Sequence, residues 1–365
     1  MQTIISIAQR LMSLPTAPFH EEAIQQEIIK FCAEHELDVK SDKFGNLMVV
    51  YKSGPSRRPI VLAAHMDHPG FDVRQHGSDG MFIGQFLGSV PREYFTPGLE
   101  LRLHPGNTRA ILIGPSKMEK EYVIRSIVPW TQSSGFAVWD IPAFQFKDNM
   151  IIGRACDDLI GVTAALATLI ELKRSRARTY AIAALSRAEE VGFHGALALA
   201  AENTLPKDSL IVSLETSAQM PPVRFGHGVI IRVGDRSSIF DSDASRFLWE
   251  TAQILSAETP SFKCQRALMS GGTCEATAYQ AFGYQTAGVC VALGNYHNCG
   301  GNFNIAPEHV SADDVVCMVG LLTEAARKMG DYSKITSQLP HRLNKLLKEA
   351  RTQLARPYTA RNPIL

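Results

Sequence analysis

Two adjacent glutamates, Glu189 and Glu190, lie in the stretch SRAEEVGFHG, which occupies residues 186–195. An apolar run at 180–185 precedes this stretch and has the composition of a fully buried strand. An alanine- and leucine-rich run at 196–201 follows it and is typical of a helix. We therefore expect both carboxylates at the carboxyl end of a buried strand, which is where open α/β sheets bind their ligands.

Neighbouring side chains on extended backbone point in opposite directions, so the two glutamates can serve different purposes. Glu190 is predicted to hold a metal ion, and Glu189 to face a metal-bound water as a general base. The alternative is a solvated turn that carries two surface glutamates. Gly192 and Gly195 favour the metal site, because they indicate a loop whose backbone is constrained.

Strands and helices alternate on both sides of this stretch. Strands are predicted at 47–51, 60–64, 180–185, 210–214 and 286–291, and helices at 2–13, about 20–36, 159–172, after 195, at 244–256 and at 311–328. The alternation predicts an α/β fold, a three-layer sandwich with a central mixed sheet. Residues 70–146 differ, because short alternating runs broken by Gly and Pro indicate a small inserted all-β, barrel-like domain.

These textures give three predicted parts. The catalytic domain takes residues 1–69 and 147–335, the inserted domain takes 70–146, and a helical extension takes 336–365. Five leucines of the extension fall near one helical face, and this favours a helix docked on its own domain or on a neighbouring subunit: Leu339, Leu343, Leu346, Leu347 and Leu354.

The composition of the 365 residues excludes several classes of function. The net charge is +1 with no basic stripe, so neither nucleic acid nor an anionic membrane is an expected partner. No apolar run approaches the roughly 20 residues that span a bilayer, and no signal peptide is expected at the N-terminus. Seven cysteines without CxxC spacing indicate reduced thiols and a cytoplasmic location.

Four further places put Asp, Glu or His where a predicted strand gives way to a loop. In His65-Met66-Asp67 a histidine can bind metal while Asp67 accepts its other ring N–H, although a surface histidine beside a solvated aspartate is the alternative. Asp157 precedes a helix and can bridge two cations with one oxygen on each. Its neighbour Asp158 suits the N-cap of that helix.

The remaining two places complete a ligand set. Glu215 ends an apolar strand, where a lone charge is costly unless it is paired or solvent-facing, and His297 follows the strand at 286–291. Two imidazoles and three carboxylates suit a pair of divalent ions, with zinc, cobalt and manganese as the candidates. Such ions activate a water and polarise a carbonyl, while a nearby glutamate moves the proton. Cys156 is interpreted as a packed residue rather than a nucleophile.

The order of these motifs resembles the glutamyl-aminopeptidase and tetrahedral-aminopeptidase family of co-catalytic di-metal enzymes, some of which are labelled endoglucanases. The matching segments are HMD at 65–67, CDD at 156–158, EEVGFHGA at 189–196, SGGT at 270–273 followed by Glu275-Ala276, and the late His297. The resemblance covers about residues 1–330, including an inserted β domain in the same place. The chain departs from the family at His68, where Glu is usual, at Glu215, where Asp is usual, and around the late histidine.

The resemblance implies roles and partners. His65 and Glu215 would bind one ion, Glu190 and His297 the other, and Asp157 would bridge, with Glu189 as the base and Asp67 orienting His65. It implies an aminopeptidase that removes N-terminal residues from short peptides and a homo-oligomer that assembles through the inserted domain. A related metal-dependent amidohydrolase that deacylates N-acyl amino acids is the second hypothesis, and a non-catalytic scaffolding relative is the third.

Overall fold

The computed structural model describes residues 1–55, 58–76 and 80–355. Two compact units make up the chain, Met1–Gly330 and Asp331–Leu365. Among the described residues, no helix combines the length and the apolar character that a membrane crossing requires.

An eight-stranded mixed sheet forms the centre of the first unit, which confirms the predicted α/β class. Its strands, in spatial order, are β1 (Asp38–Ser41), β2 (Leu47–Lys52), β12 (Tyr180–Ser186), β3 (Ile60–His65), β13 (Leu210–Ala218), β16 (Gln285–Leu293), β14 (Val229–Gly234) and β15 (Cys264–Leu268). The four central strands β12, β3, β13 and β16 run parallel to one another. They are almost entirely buried, because helices cover the sheet and only apolar runs fit there.

The described residues of the first unit form the helices α1 (Gln2–Met12), α2 (Glu22–Glu34), α3 (Cys156–Arg174), α4 (His194–Ala201), α5 (Ser242–Glu258), α6 (Glu275–Ala281) and α7 (Ala312–Lys328). Short 3₁₀ turns lie at Arg92–Tyr94, Tyr296–Asn298, Gly301–Phe303 and Met329–Asp331. Helix α3 is apolar on nearly all sides and is buried along most of its length, as expected of a helix that lies between sheet and outer helices. Its first turn is irregular at Asp157 and Asp158.

The inserted β domain is a closed antiparallel barrel. Around the barrel the strands follow the order β4 (Gly70–Gln75), β5 (Met81–Leu87), β8 (Glu121–Ser126), β7 (Thr108–Pro115), β6 (Glu100–His104) and β9 (Ser134–Trp139). Aromatic rings fill it, with Phe71 in edge contact with Phe86 and Trp139. The predicted barrel-like insertion is therefore confirmed, and it enters the chain directly after the HMD segment.

Three strands form a small second sheet, with the order β10 (Phe144–Lys147), β11 (Met150–Gly153) and β17 (Glu308–Ser311). The strands of this sheet were not predicted from the sequence, and neither were β1, β14, β15 and α6, because these segments are short and lack clear periodicity. The small sheet matters for the site, since Gly153 pairs with Glu308 across it.

The second unit contains α8 (Tyr332–Thr336) and α9 (Gln338–Leu354). Leu343, Leu346, Leu347 and Leu354 are exposed along α9, so the docked helix remains a prediction. The predicted extension reaches residue 365, and its last ten residues, 356–365, lie outside the described residues.

Candidate metal centre

Four of the five predicted ligands lie at or beyond the carboxyl ends of the parallel strands, and the fifth, Asp157, lies in the first turn of α3. His65 is the last residue of β3, Glu215 lies within β13, and Glu189 and Glu190 follow β12. His297 lies in the 3₁₀ turn after β16. Parallel strands end at one edge of a sheet, so residues far apart in sequence gather there.

Their donor atoms form two groups that share Asp157. One group is His65, Asp157 and Glu215, the other is Asp157, Glu190 and His297, and within each group the donor atoms lie within 4.8 Å of one another. The two oxygens of Asp157 face different imidazoles. Oδ1 lies 3.6 Å from His65 Nε2, and Oδ2 lies 3.6 Å from His297 Nε2. This arrangement has the form of a bridging carboxylate between two cation sites.

Buried oxygens without hydrogen-bond partners show that these side chains suit cations. Among the described residues, Asp157 Oδ1, Glu190 Oε1 and Glu215 Oε1 have no partner. A buried carboxylate oxygen without a partner is unfavourable, and carboxylates clustered beside imidazoles are the oxygen and nitrogen donors that divalent metals accept. The residues present therefore fit a pair of divalent ions.

The carboxylates and imidazoles shift each other's pKa in the directions that this crowding dictates. Burial raises the pKa of Glu215 to about 8, although Arg232 acts against it. Burial would lower the pKa of His297, but the Glu190 carboxylate raises it to about 10. Burial opposes ionisation of Asp157, yet His65 and His297 hold its pKa below the usual range. The site is therefore a network of opposed charges rather than a set of independent groups.

Both imidazoles are oriented by backbone carbonyls. His65 Nδ1 donates to the carbonyl oxygen of Asp67 at 3.1 Å, and His297 Nδ1 donates to that of Ser89 at 2.8 Å. Each ring is left with Nε2 directed at the carboxylates. Ser89 follows β5 of the barrel, so the inserted domain contributes directly to the alignment of one ligand.

The carboxylate of Asp67 lies beside His65, and its expected role in orienting that ring stays a prediction. Its Oδ1 lies 3.5 Å from His65 Nδ1, while the backbone carbonyl of the same residue is closer, at 3.1 Å. The two carboxylate oxygens also accept the backbone N–H groups of Glu189 and Glu190, at 2.9 and 3.1 Å. Asp67 therefore fixes the turn that carries both glutamates, while its main chain orients the histidine.

The turn itself has the constrained backbone that its glycines predicted. Gly192 has φ +119°, which favours glycine. A Cβ at Gly195 would lie 2.5 Å from the Arg187 backbone nitrogen. Glu189 Oε2 lies 3.9 Å from His65 Nε2, at the edge of the first ligand group. Burial raises the pKa of Glu189 well above its usual range, and the Glu215 and Glu190 charges add to that effect.

Three buried carboxylates that hydrogen-bond to residues of the site, or to residues next to it, were given no role from the sequence. Glu21 accepts the backbone N–H of Ala188 at 3.0 Å, Glu275 accepts the hydroxyl of Ser186, and Glu308 accepts two backbone N–H groups within the site. All three are completely buried. The sequence shows only an acid beside apolar residues, as in Ala306-Pro307-Glu308-His309-Val310. That pattern does not distinguish a carboxylate that contacts distant residues in the fold from one that is exposed to solvent at the end of a strand.

Two other side chains near Asp157 have structural roles. Asp158 Oδ1 accepts the Gly161 N–H at 3.1 Å, which is the N-cap contact predicted for it. His68 Nδ1 lies 2.6 Å from the carbonyl oxygen of Asp157, and its Nε2 lies 2.9 Å from Asn298 Oδ1. Where the family usually has Glu, this chain thus has an imidazole that fixes the main chain of the bridging residue.

A cavity of about 130 Å³ opens beside the ligands. Its lining includes Glu215, Arg232, Met269 and Tyr296. Arg232 is only 3% exposed, and its Nε has no hydrogen-bond partner. Among the described residues, no carboxylate oxygen lies within 4.0 Å of its guanidinium nitrogens, which leaves a buried cation without a paired anion at the cavity wall.

Comparison with known proteins places these features in context. Residues 132–305 match the model of a family described as M42 glutamyl aminopeptidase. This segment includes Asp157, Glu189, Glu190, Glu215 and His297, whereas His65 lies before it.

Three solved structures have a similar fold. A TET aminopeptidase from a marine-sediment thaumarchaeon is 18% identical, with a TM-score of 0.78 over 92% of this chain and 100% of that one. The Pyrococcus horikoshii TET1 peptidase, which can assemble into a tetrahedron or a large octahedral shell, is 22% identical, with a TM-score of 0.72 over 88% and 99%. An endoglucanase from Thermotoga maritima is 16% identical, with a TM-score of 0.65 over 92% and 99%.

Proposed function

We propose that this chain, which belongs to the M42 glutamyl aminopeptidase family as its sequence predicted, removes N-terminal residues from short peptides and prefers acidic ones. Membership of the family makes it a metallopeptidase hydrolase. The proposal is carried by one observation, the pair of donor groups that share Asp157 beside an open cavity.

His65 and Glu215 would hold one divalent ion, Glu190 and His297 the other, and Asp157 would touch both. Zinc is our first candidate, with cobalt and manganese as alternatives. Two such ions, when bound, polarise the scissile carbonyl and lower the pKa of a water. The chain's contribution is to hold the donors in place, through the carbonyls that orient both rings and the Asp67 carboxylate that fixes the glutamate turn.

Glu189 is the proposed general base. It is the more accessible of the two adjacent glutamates, with 11% of its side chain exposed against 4% for Glu190. A raised pKa suits a group that takes a proton from the attacking water and delivers it to the leaving amine. We assign it to that transfer rather than to a metal, although its carboxylate also lies within 4.8 Å of donor atoms of His65 and Glu190.

Arg232 is the proposed basis of substrate preference. Its stem lies across Gly288 of the neighbouring strand, where a Cβ would come within 3.4 Å of Arg232 Cδ. The nearby Asp235 carboxylate makes no ion pair with it within 4.0 Å, and its oxygens instead accept hydrogen bonds from Ser237, Ser238, Cys274 and Thr277. A substrate carboxylate in the cavity would complete the pair and relieve the cost of the buried charge.

Metal analysis and a panel of aminoacyl p-nitroanilides test the proposal together. We expect about two divalent ions per chain after supplementation, and hydrolysis of free-amino substrates but not of their N-acetyl forms. Release of acetate from N-acetyl amino acids, with no hydrolysis of the free-amino p-nitroanilides, would support the deacylase instead. A protein that retains no metal would support the non-catalytic relative.

The isosteric pair of glutamyl and glutaminyl substrates tests the acidic preference. We expect kcat/KM to favour the glutamyl substrate at least ~10-fold, the scale of about 1.4 kcal/mol for one charged contact. Arg232→Met should abolish the difference while neutral substrates are still cleaved. The exposed Arg236, changed to Met in the same way, should preserve it. Equal rates for both substrates in the unaltered protein would contradict the assignment.

A further inference from the structure

The Glu308 side chain joins two candidate ligands that lie far apart in sequence. Its Oε2 accepts the backbone N–H of Asp157 at 3.0 Å, and its Oε1 accepts the backbone N–H of His297 at 2.8 Å. Glu308 is completely buried at the start of β17. One carboxylate therefore uses both oxygens to hold the main chains of two residues in the second donor group.

Both of these main chains are irregular. Asp157 has φ −83° and ψ 108° inside the first turn of α3, and His297 has φ 52° and ψ 37°. The second pair of angles is left-handed, a conformation that is unfavourable for a non-glycine residue. Such a backbone persists only where its surroundings hold it, and Glu308 supplies the acceptor for the amide at each of the two positions.

The two residues depend on Glu308 to different degrees. The main chain of Asp157 has a second restraint, because His68 Nδ1 lies 2.6 Å from its carbonyl oxygen. The amide of His297 has Glu308 alone as its hydrogen-bond acceptor among the described residues. Loss of the Glu308 hydrogen bonds should therefore displace His297 more than Asp157. That displacement would disrupt the donor group formed by Asp157, Glu190 and His297.

We infer that Glu308 is a positioning residue that selectively maintains the ion site of Asp157, Glu190 and His297. The inference rests on the proposed di-metal function. It mirrors the Asp67 carboxylate, which holds the two glutamate amides on the other side of the site. No direct contact between Glu308 and an ion or substrate is required.

Glu308→Gln provides a sharp test, because an amide has one acceptor oxygen and leaves one of the two backbone N–H groups without a partner. Asp314→Asn is the matched control. Asp314 is also buried and also accepts two backbone N–H groups, from Gly226 and Gly228, but it lies outside the candidate metal centre. The two variants therefore differ in where the lost hydrogen bond lies.

Zinc is titrated calorimetrically into the chelator-treated full-length proteins. The unaltered chain should bind two ions. Glu308→Gln should bind one ion almost as tightly and the other about 10- to 100-fold more weakly, the usual effect of removing a group that orients a ligand. Asp314→Asn should bind both ions as the unaltered chain does, even if its melting temperature falls.

The outcomes separate the two proposals. An unaltered chain that binds no zinc would overturn the di-metal function, and the Glu308 assignment with it. Two ions bound equally well by the unaltered and Glu308→Gln proteins would overturn the Glu308 assignment alone, as would equal weakening of both ions. If Glu308→Gln does not fold, Glu308→Asp decides, since its shorter carboxylate cannot reach both amides and should weaken the same single ion.

Discussion

Glu189 and Glu190 have the same side chain, but their surroundings differ. Glu190 Oε1 lies 3.2 Å from His297 Nε2 within a donor group, whereas Glu189 stands at the margin and keeps more contact with solvent. The Asp67 carboxylate binds both backbone amides and so fixes the direction in which each side chain leaves the turn.

Glu189→Gln should therefore keep both ions and lose turnover by about 10²- to 10⁴-fold, the range for a general base. The amide keeps the shape of the side chain but cannot accept the proton. Glu190→Gln is the matched control and should lower metal content. Loss of turnover in a Glu189→Gln protein that still holds both metal ions would support the assignment. Near-normal turnover of that variant would refute it.

Residue types at strand ends were predictable from the sequence, because a buried apolar run that stops at an acid or a histidine indicates its own boundary. His65 and Glu215 end such runs directly, whereas Glu189, Glu190 and His297 lie in the loops that follow strands and Asp157 lies at the start of a helix. The carboxylate of Glu308 and the carbonyl of Ser89 carried no such signal. Their importance arises from contacts across about 150 and 210 positions of sequence, which no local pattern encodes.

At the scale of elements, the barrel presents apolar side chains to its outer surface. Met118, Ile127 and Val128 are each more than half exposed. Ile127 and Val128 are adjacent and follow β8, whereas Met118 precedes that strand. Adjacent exposed apolar side chains are candidates for contact with another protein. The role of the insertion in subunit contacts remains a prediction, and these residues give it a defined target.

The double variant Ile127→Asp/Val128→Asp should shift the protein to a smaller assembly, because burying two carboxylates in a subunit contact is costly. Size-exclusion chromatography with light scattering gives the mass. Ile29→Asp, on the exposed face of α2, is the control and should leave the mass unchanged. An unaltered mass for the double variant would argue against this surface as the contact.

The long elements were also the predictable ones. The strand predicted at 180–185 is observed at Tyr180–Ser186, and the helix predicted at 159–172 is observed at Cys156–Arg174, so only the ends of each differ. The short strand Val229–Gly234 was missed although it carries Arg232, and its pairing of Arg232 with Gly288 of β16 is visible only in the folded sheet. Residues that line the cavity, such as Arg232, can therefore be identified only when the pairing of the strands is known.

For the whole molecule, the crowded carboxylates make stability depend on pH. The folded-state pKa values of Glu215 and Glu275 are raised by burial to about 8 and about 7, and that of His297 is raised by Glu190 to about 10. Each group therefore binds protons more tightly when folded than when unfolded, so the contribution of each is lost as pH rises.

The metal-free protein should consequently lose stability between about pH 5 and pH 9. Each extra proton held by the folded state corresponds to about 1.4 kcal/mol per pH unit, or a few degrees of melting temperature. Zinc should reverse the trend, since cations replace the protons. Scanning fluorimetry with and without chelator measures both curves, and a melting temperature that rises with pH in chelator would contradict the assigned shifts.

The hydrogen bond from His297 to the carbonyl oxygen of Ser89 means that the inserted domain also orients a side chain of the candidate metal centre. Any engineered replacement for residues 70–146 would have to return a carbonyl to the same point in space, or the imidazole of His297 would lose the acceptor that orients it. If His297 binds metal as we propose, sequence changes in the insertion are therefore constrained by the candidate metal centre as well as by the packing of the barrel.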